Sequence, residues 1–401
     1  MSADPIFLTS YDDTPERPDV SDKKDAKRGI TPNLREHIKV IGIGGGGINA
    51  VDSIIRSGIV GVEFVAMNTD VRSLEKSLAT DKLILGEKLT RGLGAGAKPE
   101  IGAAAALESR EEIRKHLKGC DMVYITAGMG GGTGTGALPF VAEMAKQMGI
   151  LTVAVITKPF TFEGKKKMTL AMEGIRKVEN VVDALIVIPN DKLLAMTERN
   201  TSLTDAFAAV NNVLRQAVQG VTDLVTCPGC INVDFADLRN VMTDAGSAVM
   251  GVGVAKGENR AKSALKQALE SPLMESSIIG AKGVLFNVSG GEDVGLLEVS
   301  EAADMLQGYI DMDAKFIWGW VPDDRTDGSL EMVIVATGFN KEDCISEIPK
   351  THKQNSTPQQ PLKTETIEED LADETITEET ILFDTTYDIW DRPAILRRPK
   401  K

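Results

Sequence analysis

The sequence predicts an α/β protein with a larger domain built on a parallel sheet, a long connecting helix and a smaller α+β domain. Between residues 37 and 201, short buried apolar runs alternate with amphipathic helical patterns, which is typical of a parallel, doubly wound sheet. One uninterrupted helical pattern covers residues 202–226, and a mixed group of helices and strands follows it. The 401 residues provide room for two or three domains, and a composition of 42% hydrophobic and 26% charged residues is ordinary for globular proteins.

The predicted elements of the larger domain are five strands with helical segments between them. The strands cover residues 38–41, 62–67, 122–126, 151–156 and 184–188. After the connecting helix we expect helices near residues 235–250 and 258–270, and strands at residues 283–288, 316–321 and 332–336. Asp327 and Gly328 supply a turn before the last strand. The predicted domains are residues 37–201, the connecting helix at 202–228 and the α+β domain at 229–340.

Both ends of the chain have compositions that predict disordered tails. Residues 1–36 contain four prolines and few apolar side chains. Residues 341–386 contain 12 acidic residues and 4 lysines, a net charge of −8, and we expect them to form a self-repelling linker. Residues 387–401 reverse the sign, because five basic and two acidic residues give +3 around a few apolar side chains.

Charge, aromatic content and cysteine content exclude several classes of protein. The chain has 45 Lys and Arg against 59 Asp and Glu, a net charge of −14, with 4% aromatic residues, which does not suit a nucleic-acid-coating protein. Four scattered cysteines do not make a disulfide scaffold, and we see no secretory leader or membrane-spanning run, so we expect a cytoplasmic protein. Cys227 and Cys230 form a C-x-x-C without a second pair of ligands, which we interpret as an inert reduced loop, with a redox role as the alternative.

The first candidate binding loop is the run G-I-G-G-G-G-I-N-A at residues 42–50, between a predicted strand and a predicted helix. Glycines let a backbone approach an anion closely, and the N–H groups at the start of the helix point toward it. Gly42, Gly44 and Gly47 also satisfy G-x-G-x-x-G, and Asp70 follows the second strand, where a ribose-binding acid would lie. A Rossmann-type NAD(P)-dependent oxidoreductase therefore fits this loop too, and so does a tight turn with no ligand.

The second candidate loop is G-M-G-G-G-T-G-T-G at residues 128–136, again between a strand and a helix. Two such loops in one sheet can face one phosphate chain, and the threonine hydroxyls add hydrogen-bond donors. No G-x-x-x-x-G-K-[ST] motif occurs in the sequence, which excludes a Walker-type P-loop. Because the loops contain no lysine, we expect backbone amides, helix dipoles and Mg²⁺ to offset the phosphate charge.

Six further short segments complete a pattern with these two loops. They are residues 68–70 (N-T-D), 92–97, 158–160 (K-P-F), 162–164 (F-E-G), 188–191 (I-P-N-D) and 232–237 (N-V-D-F-A-D). The order of all eight resembles the FtsZ family, the bacterial tubulin-like cell-division GTPases, over about residues 37–340 and again at the carboxyl tip. The resemblance implies a tubulin-like GTPase fold, binding of GTP and GDP with Mg²⁺, and hydrolysis of GTP to GDP and phosphate that depends on assembly.

The resemblance also implies which residues bind the nucleotide. They are Gly45, Gly46, Gly47, Ile48, Asn49, Ala95, Gly96, Gly132, Thr133, Gly134, Glu163, Lys167, Asn190, Phe207 and Asn212. In the family, residues matching Ala95 and Gly96 lie near the γ-phosphate. Those matching Glu163 and Asn190 contact the ribose and base, and the one matching Phe207 packs on guanine.

Two of these positions depart from the family pattern. Asn212 stands where the family usually has an Asp that reads guanine. An amide oxygen accepts a hydrogen bond but lacks the charge of a carboxylate, so we expect a softer guanine preference. Lys167 stands where an Arg is usual, which keeps the charge and loses the planar fork of donors.

Asp234 and Asp237 are the candidate catalytic residues. Local spacing alone lets Asp234 cap the helix that follows and places Asp237 in the first turn of that helix. The resemblance implies instead that one subunit presents these acids to the γ-phosphate held by its neighbour, where they polarise the attacking water. A head-to-tail filament provides that geometry, since a heterologous interface that does not close gives an open polymer.

The carboxyl tip resembles the peptide by which the family docks on membrane adaptors and division regulators. The candidate contact residues are Ile389, Pro393, Ile395, Leu396 and Arg397, with Ile395 in place of the common aromatic residue. The implied function is a GTP-driven filament that forms the cytokinetic ring at the division site, without nucleic acid and without direct membrane insertion. The alternatives are a non-hydrolysing nucleotide-binding scaffold and the NAD(P)-dependent oxidoreductase.

Overall fold

The structure is a computed structural model that describes residues 36–194, 201–226, 233–271, 274, 277–322 and 327–339. Four features of the sequence lie outside these residues: the amino-terminal tail before residue 36, the acidic linker, the carboxyl-terminal peptide with its five candidate contact residues, and the Cys227–Cys230 motif.

The elements of the first part of the chain alternate strand and helix. They are β1 (Ile38–Ile43), α1 (Gly44–Arg56), β2 (Val62–Asn68), α2 (Val71–Lys76), β3 (Asp81–Ile84), α3 (Glu87–Thr90), α4 (Pro99–Glu108), α5 (Arg110–Leu117), β4 (Met122–Gly128), α6 (Thr133–Gln147), β5 (Leu151–Lys158), α7 (Lys165–Glu179), β6 (Ala184–Pro189) and α8 (Asn190–Leu194). A single 3₁₀ turn, Thr161–Glu163, lies between β5 and α7.

The second part begins with a long helix and ends in paired strands. Its elements are α9 (Leu203–Thr226), α10 (Phe235–Met242), β7 (Gly246–Lys256), α11 (Arg260–Leu269), β8 (Gly283–Gly290), α12 (Leu296–Gln307), β9 (Lys315–Pro322) and β10 (Ser329–Thr337). Among the helices of the described ranges, none combines the length and the hydrophobicity that crossing a membrane requires.

The strands join in the order β3-β2-β1-β4-β5-β6-β7-β10-β8-β9. The first six strands in this order, from β3 through β1 to β6, are all parallel to their neighbours. Strand β7 continues the parallel set through a short pairing with β6 that begins at Ala184 and Gly246. Strand β10 is antiparallel to both β7 and β8, whereas β8 and β9 are parallel. The parallel half therefore aligns the carboxyl ends of its strands along one edge, which we call the carboxyl edge, and their starts along the opposite amino edge.

Helices cover both faces of the parallel half. Alternate residues of each strand point to opposite faces, and in β4 the buried Tyr124 packs toward α1 and α9, whereas Ile125 packs toward α4–α7. A separate core lies around β8, β10, α11 and α12. The predicted fold class, a tubulin-like α/β fold with a smaller α+β carboxyl-terminal part, is confirmed.

One predicted helix is too long, and two strands, β7 and β3, were not predicted. The helix expected near residues 235–250 ends at Met242, and β7 follows it. A Cβ added to Gly253 would lie 1.9 Å from the carbonyl oxygen of Ala264, so this glycine lets α11 pack directly on β7. Strand β3 was missed because it is a four-residue edge strand that is largely exposed.

Candidate functional site

The first glycine loop is shaped by contact with β4 at the carboxyl edge. A Cβ on Gly47 would lie 2.3 Å from the carbonyl oxygen of Thr126, and one on Gly46 would lie 3.1 Å from the Cα of Gly128. Gly44 adopts φ +72°, in the left-handed region that favours glycine. These glycines are therefore required for the loop to form against its neighbour.

The second glycine loop packs directly on the first. A Cβ on Gly134 would lie 2.9 Å from the carbonyl oxygen of Gly128 and 3.4 Å from that of Ile43. A Cβ on Gly44 would in turn lie 3.0 Å from the backbone nitrogen of Gly134. The structure thus brings the two loops together at neighbouring strands, β1 and β4, as the sequence predicted.

Two other glycines of these loops, Gly45 and Gly131, are not required by packing within the protein. A Cβ on Gly45 or Gly131 would meet no atom within 4 Å, and neither residue has a positive φ. Both α1 and α6 begin without a side-chain cap and without an acid in the first turn, so their first N–H groups and positive dipole ends remain available. An open space bordered by bare backbone and two helix N-termini fits a phosphate chain.

The side chains of Ile48 and Asn49 differ in what they can do. Ile48 is buried in the core beneath α1, so only its backbone can reach a ligand, whereas Asn49 is exposed. The loop at residues 92–97 lies beside the second glycine loop, because a Cβ on Gly132 would lie 2.8 Å from the Cβ of Ala95. Gly96 has a positive φ of 58° and faces open space.

Thr69 connects this third loop to α6. Its hydroxyl lies 2.6 Å from the hydroxyl of Thr133, the first residue of α6, and its carbonyl accepts a hydrogen bond from the N–H of Gly94. Thr69 belongs to the N-T-D motif, but the sequence alone gave it no role. The signal that could have identified it is its position, directly after the end of a buried parallel strand at the carboxyl edge.

Aromatic rings form the next part of this edge, after β5. Phe160 stacks on Phe162 with centroids 5.0 Å apart, and Phe207 at the start of α9 meets Phe160 edge-on at 5.5 Å. Phe162 is 64% exposed and Phe207 43% exposed. Exposed aromatic faces at the same edge as the two glycine loops suit a planar base.

Glu163 and Lys167 pair with each other at the start of α7. Lys167 Nζ donates to Glu163 Oε2 at 2.8 Å, while Glu163 Oε1 accepts the N–H of Phe160 at 2.9 Å. A Cβ on Gly130 would lie 2.7 Å from the carbonyl oxygen of Lys167, so the start of α7 packs on the second glycine loop. The structure therefore places Glu163 and Lys167 together, next to the second glycine loop.

The two predicted asparagines differ in their hydrogen bonding. Asn190 is buried, and its Oδ1 has no hydrogen-bond partner in the part of the chain that the structure describes. Asn212 Oδ1 accepts a hydrogen bond from Arg215 Nε at 2.9 Å. The amide oxygen expected to read the base is therefore engaged by a neighbouring guanidinium on α9.

Asp234 and Asp237 lie at the amino edge. Arg239 of α10 donates to the carbonyl oxygen of Gly149, just before β5, and the N–H of Val233 donates to Leu224 O near the end of α9. Asp234 occupies the N-cap position of α10, yet its side chain makes no capping hydrogen bond. Both carboxylates are exposed, so local capping does not explain Asp234.

The connecting helix separates the two edges. Phe207, near its start, touches Phe160 beyond the end of β5, and a Cβ on Gly61, just before β2, would lie 3.0 Å from the Cβ of Thr226 at its end. With 24 residues, α9 is about 36 Å long. The structure therefore does not bring Asp234 and Asp237 near the glycine loops of the same chain.

Among the described residues, no cluster of three or more His, Cys, Asp or Glu side chains could hold a metal ion. An open cleft of about 490 Å³ between α4, α6 and α7, lined by Glu100, Phe140 and Glu173 among others, borders the second glycine loop at Thr135 and Gly136 but includes none of the predicted nucleotide-binding residues.

Comparisons with known proteins decide the family. The family model "Tubulin/FtsZ family, GTPase domain" matches residues 37–198, and "FtsZ family, C-terminal domain" matches residues 246–340. An FtsZ dimer from M. jannaschii is 45% identical, with a TM-score of 0.74 over 77% of this chain and 89% of its own. The chain belongs to the FtsZ family. A tryptophan-to-tyrosine mutant of FtsZ from the same organism is likewise 45% identical, with a TM-score of 0.73 over 76% of this chain and 91% of its own.

Two more distant structures share the fold. CetZ2 from Haloferax volcanii, a GTPγS-bound protofilament, is 20% identical with a TM-score of 0.65 over 76% of this chain and 94% of its own. CetZ1 from the same organism, a GDP-bound monomer, is 21% identical with a TM-score of 0.67 over 77% and 96%. Membership of the FtsZ family makes the chain a GTP-binding, tubulin-like GTPase of the cell-division cytoskeleton.

Proposed function

We propose that the chain polymerises head-to-tail into filaments that form the cytokinetic ring at the division site, and that GTP is hydrolysed between subunits. The observation that carries this proposal is the separation of the site. The glycine loops lie at the carboxyl edge, whereas the exposed Asp234 and Asp237 lie at the amino edge, beyond a helix about 36 Å long. A neighbour stacked head-to-tail would place its amino edge against the carboxyl edge of the next subunit.

In this proposal the carboxyl edge binds and orients the nucleotide. The backbone N–H groups of Gly45, Gly46, Gly47, Gly132 and Gly134 and the Thr133 hydroxyl would contact the phosphates, while Ala95 and Gly96 would lie at the γ-phosphate. The open space at Gly45 gives the phosphate chain access to the backbone of α1. Glu163, Asn190 and Phe207 would hold the ribose and base, with the unpartnered Asn190 Oδ1 as an available acceptor.

The remaining proposed contacts involve charge. Mg²⁺ would bind mainly through the phosphates and water, as this ion commonly does beside a nucleotide. Asn212 would read guanine less strictly than a carboxylate, because its oxygen already accepts from Arg215. Lys167, paired with Glu163, would hold that acid in place beside the ribose.

Hydrolysis would belong to the neighbouring subunit. Asp234 and Asp237 would polarise the attacking water once the next subunit covers the nucleotide, so the rate would rise with assembly. Loss of the γ-phosphate would then weaken the interface that holds it. The basic peptide at residues 387–401, joined by the acidic linker, would dock on membrane adaptors and division regulators.

The test is phosphate release and pelleting in parallel, with Mg²⁺ and either GTP or GDP, on wild type and Asp237→Ala. We expect wild type to pellet with GTP and to hydrolyse above a critical concentration. Asp237→Ala should bind GTP normally and assemble, while its phosphate release falls roughly 100-fold or more. The matched control is Glu112→Ala, which removes an exposed carboxylate from α5.

Two results would contradict the proposal. If the wild-type protein binds GTP but gives neither polymer nor phosphate, the non-hydrolysing scaffold is the better interpretation. If Asp237→Ala hydrolyses as fast as Glu112→Ala, the amino edge does not supply the catalytic acid.

A further inference from the structure

Two threonine hydroxyls meet at the junction of the three loops. Thr69 Oγ1 lies 2.6 Å from Thr133 Oγ1, linking the residue after β2 to the first residue of α6. Thr69 is 0% exposed, whereas Thr133 is 9% exposed and begins a helix whose end faces the open space beside the glycine loops. Neither hydroxyl has another hydrogen-bond partner in the described ranges.

Counting hydrogens gives this pair a direction. Each hydroxyl carries one hydrogen, and one hydrogen bond uses one of the two. If Thr133 donated, the hydrogen of the fully buried Thr69 would be left without an acceptor, which is strongly unfavourable. If Thr69 donates, the leftover hydrogen belongs to Thr133, which is 9% exposed at the start of α6. The network therefore assigns Thr69 as the donor.

We propose that Thr69 is a positioning residue of the nucleotide site, which makes Thr133 an obligatory hydrogen-bond donor toward a bound phosphate. This inference rests on the proposed binding of the nucleotide at the carboxyl edge. Phosphate oxygens only accept hydrogen bonds, so a hydroxyl whose own acceptor side is occupied by Thr69 complements them. The carbonyl of Thr69 also accepts the N–H of Gly94 at 3.0 Å, which connects Thr69 to the loop at residues 92–97.

The test is a double-mutant cycle on the affinity of the monomer for GDP and GTPγS. We expect Thr133→Val to weaken binding about tenfold, since it removes a hydrogen bond to a charged group, and Thr69→Val to weaken it by a smaller factor. The variant that carries both changes should bind as Thr133→Val does alone, because Thr69 acts only through Thr133. Thr69→Ser, which keeps the hydroxyl, should restore binding.

Thr152→Val is the matched control. Thr152 is also 0% exposed, and its hydroxyl donates to Ile150 O at 2.9 Å, but it lies at the amino edge. This variant should bind both nucleotides as wild type does. A melting curve without nucleotide checks that each variant folds, and Thr69→Ala replaces Thr69→Val in the cycle if the valine variant does not fold.

The outcomes separate this inference from the proposed function. Failure of the wild-type protein to bind either nucleotide would refute the binding site itself. If wild type binds, but Thr69→Val either binds equally well or adds its full effect to that of Thr133→Val, Thr69 is only a structural residue. Failure of Thr69→Ser to restore binding would also refute the role of the hydroxyl.

Discussion

Around the glycine loops at the carboxyl edge of the parallel sheet the chain presents bare backbone, whereas at the amino edge it presents charged side chains. The carboxyl edge has two glycine loops and two helix N-termini with no acid in their first turns. The amino edge has the exposed acids of α10 and an ion-pair cluster in which Lys146 contacts Asp183 at 3.4 Å and Asp244 at 2.7 Å.

In the proposed function the two edges have different requirements. A site for a multiply charged phosphate needs close approach of N–H groups, so its requirements are steric and are met by removing side chains. The amino edge, which we propose supplies acids to another subunit, needs charged side chains, so its requirements are electrostatic. Substitutions at the carboxyl edge should therefore act by disturbing packing, whereas those at the amino edge should act by disturbing charge interactions.

The largest expected effect is at the carboxyl edge, with Gly47→Ala. Its Cβ would lie 2.3 Å from the Thr126 carbonyl oxygen, so backbone has to move and the glycine loop cannot keep its shape. We expect the free energy of unfolding to fall by about 1–3 kcal/mol and GTPγS binding to be lost. Chemical denaturation and equilibrium binding measure the two effects.

Gly45→Ala is the matched control within the same loop. Its Cβ meets no atom within 4 Å, so the free energy of unfolding should stay within about 0.5 kcal/mol of wild type. Binding should nevertheless weaken, because the methyl group would occupy space proposed for the phosphates. Wild-type affinity in Gly45→Ala would show that this space is not used by the ligand.

A smaller effect is expected at the amino edge, with Lys146→Met. Asp183 is buried and also accepts the N–H of Thr152, so loss of its cation leaves a carboxylate poorly compensated. Because Lys146 itself is 37% exposed, we expect a loss of only about 1–2 kcal/mol in the free energy of unfolding. Affinity for GTPγS should not change.

Lys262→Met is the control for Lys146→Met. It breaks a 2.8 Å ion pair with Glu301, whose side chain is 56% exposed, whereas that of Asp183 is 7% exposed. Its effect should not exceed about 0.5 kcal/mol. Equal losses of unfolding free energy in the two variants would show that burial of Asp183 does not make its ion pair more stabilising than an exposed one.

Much of the fold could be predicted from the sequence because the parallel strands are buried on both faces and read as plain apolar runs. Strand β7 could not, since its run A-V-M-G-V-G-V-A has no periodicity that distinguishes a strand from the end of a helix. What makes it a strand is tertiary, namely the pairing of Val333 with Val252 and the packing of α11 on Gly253.

The site was predictable where its chemistry lies in a local motif. The two glycine loops could be identified from spacing, and the structure places them in contact as expected. The Thr69–Thr133 pair could not, because 64 residues separate its members and only the sheet order β2-β1-β4 brings them near. The hydrogen bond from Arg215 to Asn212 depends on side-chain conformations on α9, which residue types alone do not specify.

The smallest expected effect concerns the pH dependence of the amino-edge cluster. Burial lowers the pKa of Lys146, but the hydrogen bond to Asp244 and the charge of Asp183 outweigh it and raise the pKa above its ordinary value of 10.5. A lysine whose pKa is higher in the folded state stabilises that state fully below its unfolded pKa, and this contribution is lost as pH rises through the folded pKa. The difference in unfolding free energy between wild type and Lys146→Met should therefore be constant from about pH 7 to 9 and shrink above about pH 10.5. Urea denaturation across this range measures it, with Lys262→Met alongside, and a difference that already shrinks between pH 7 and 9 would contradict the assignment to Lys146.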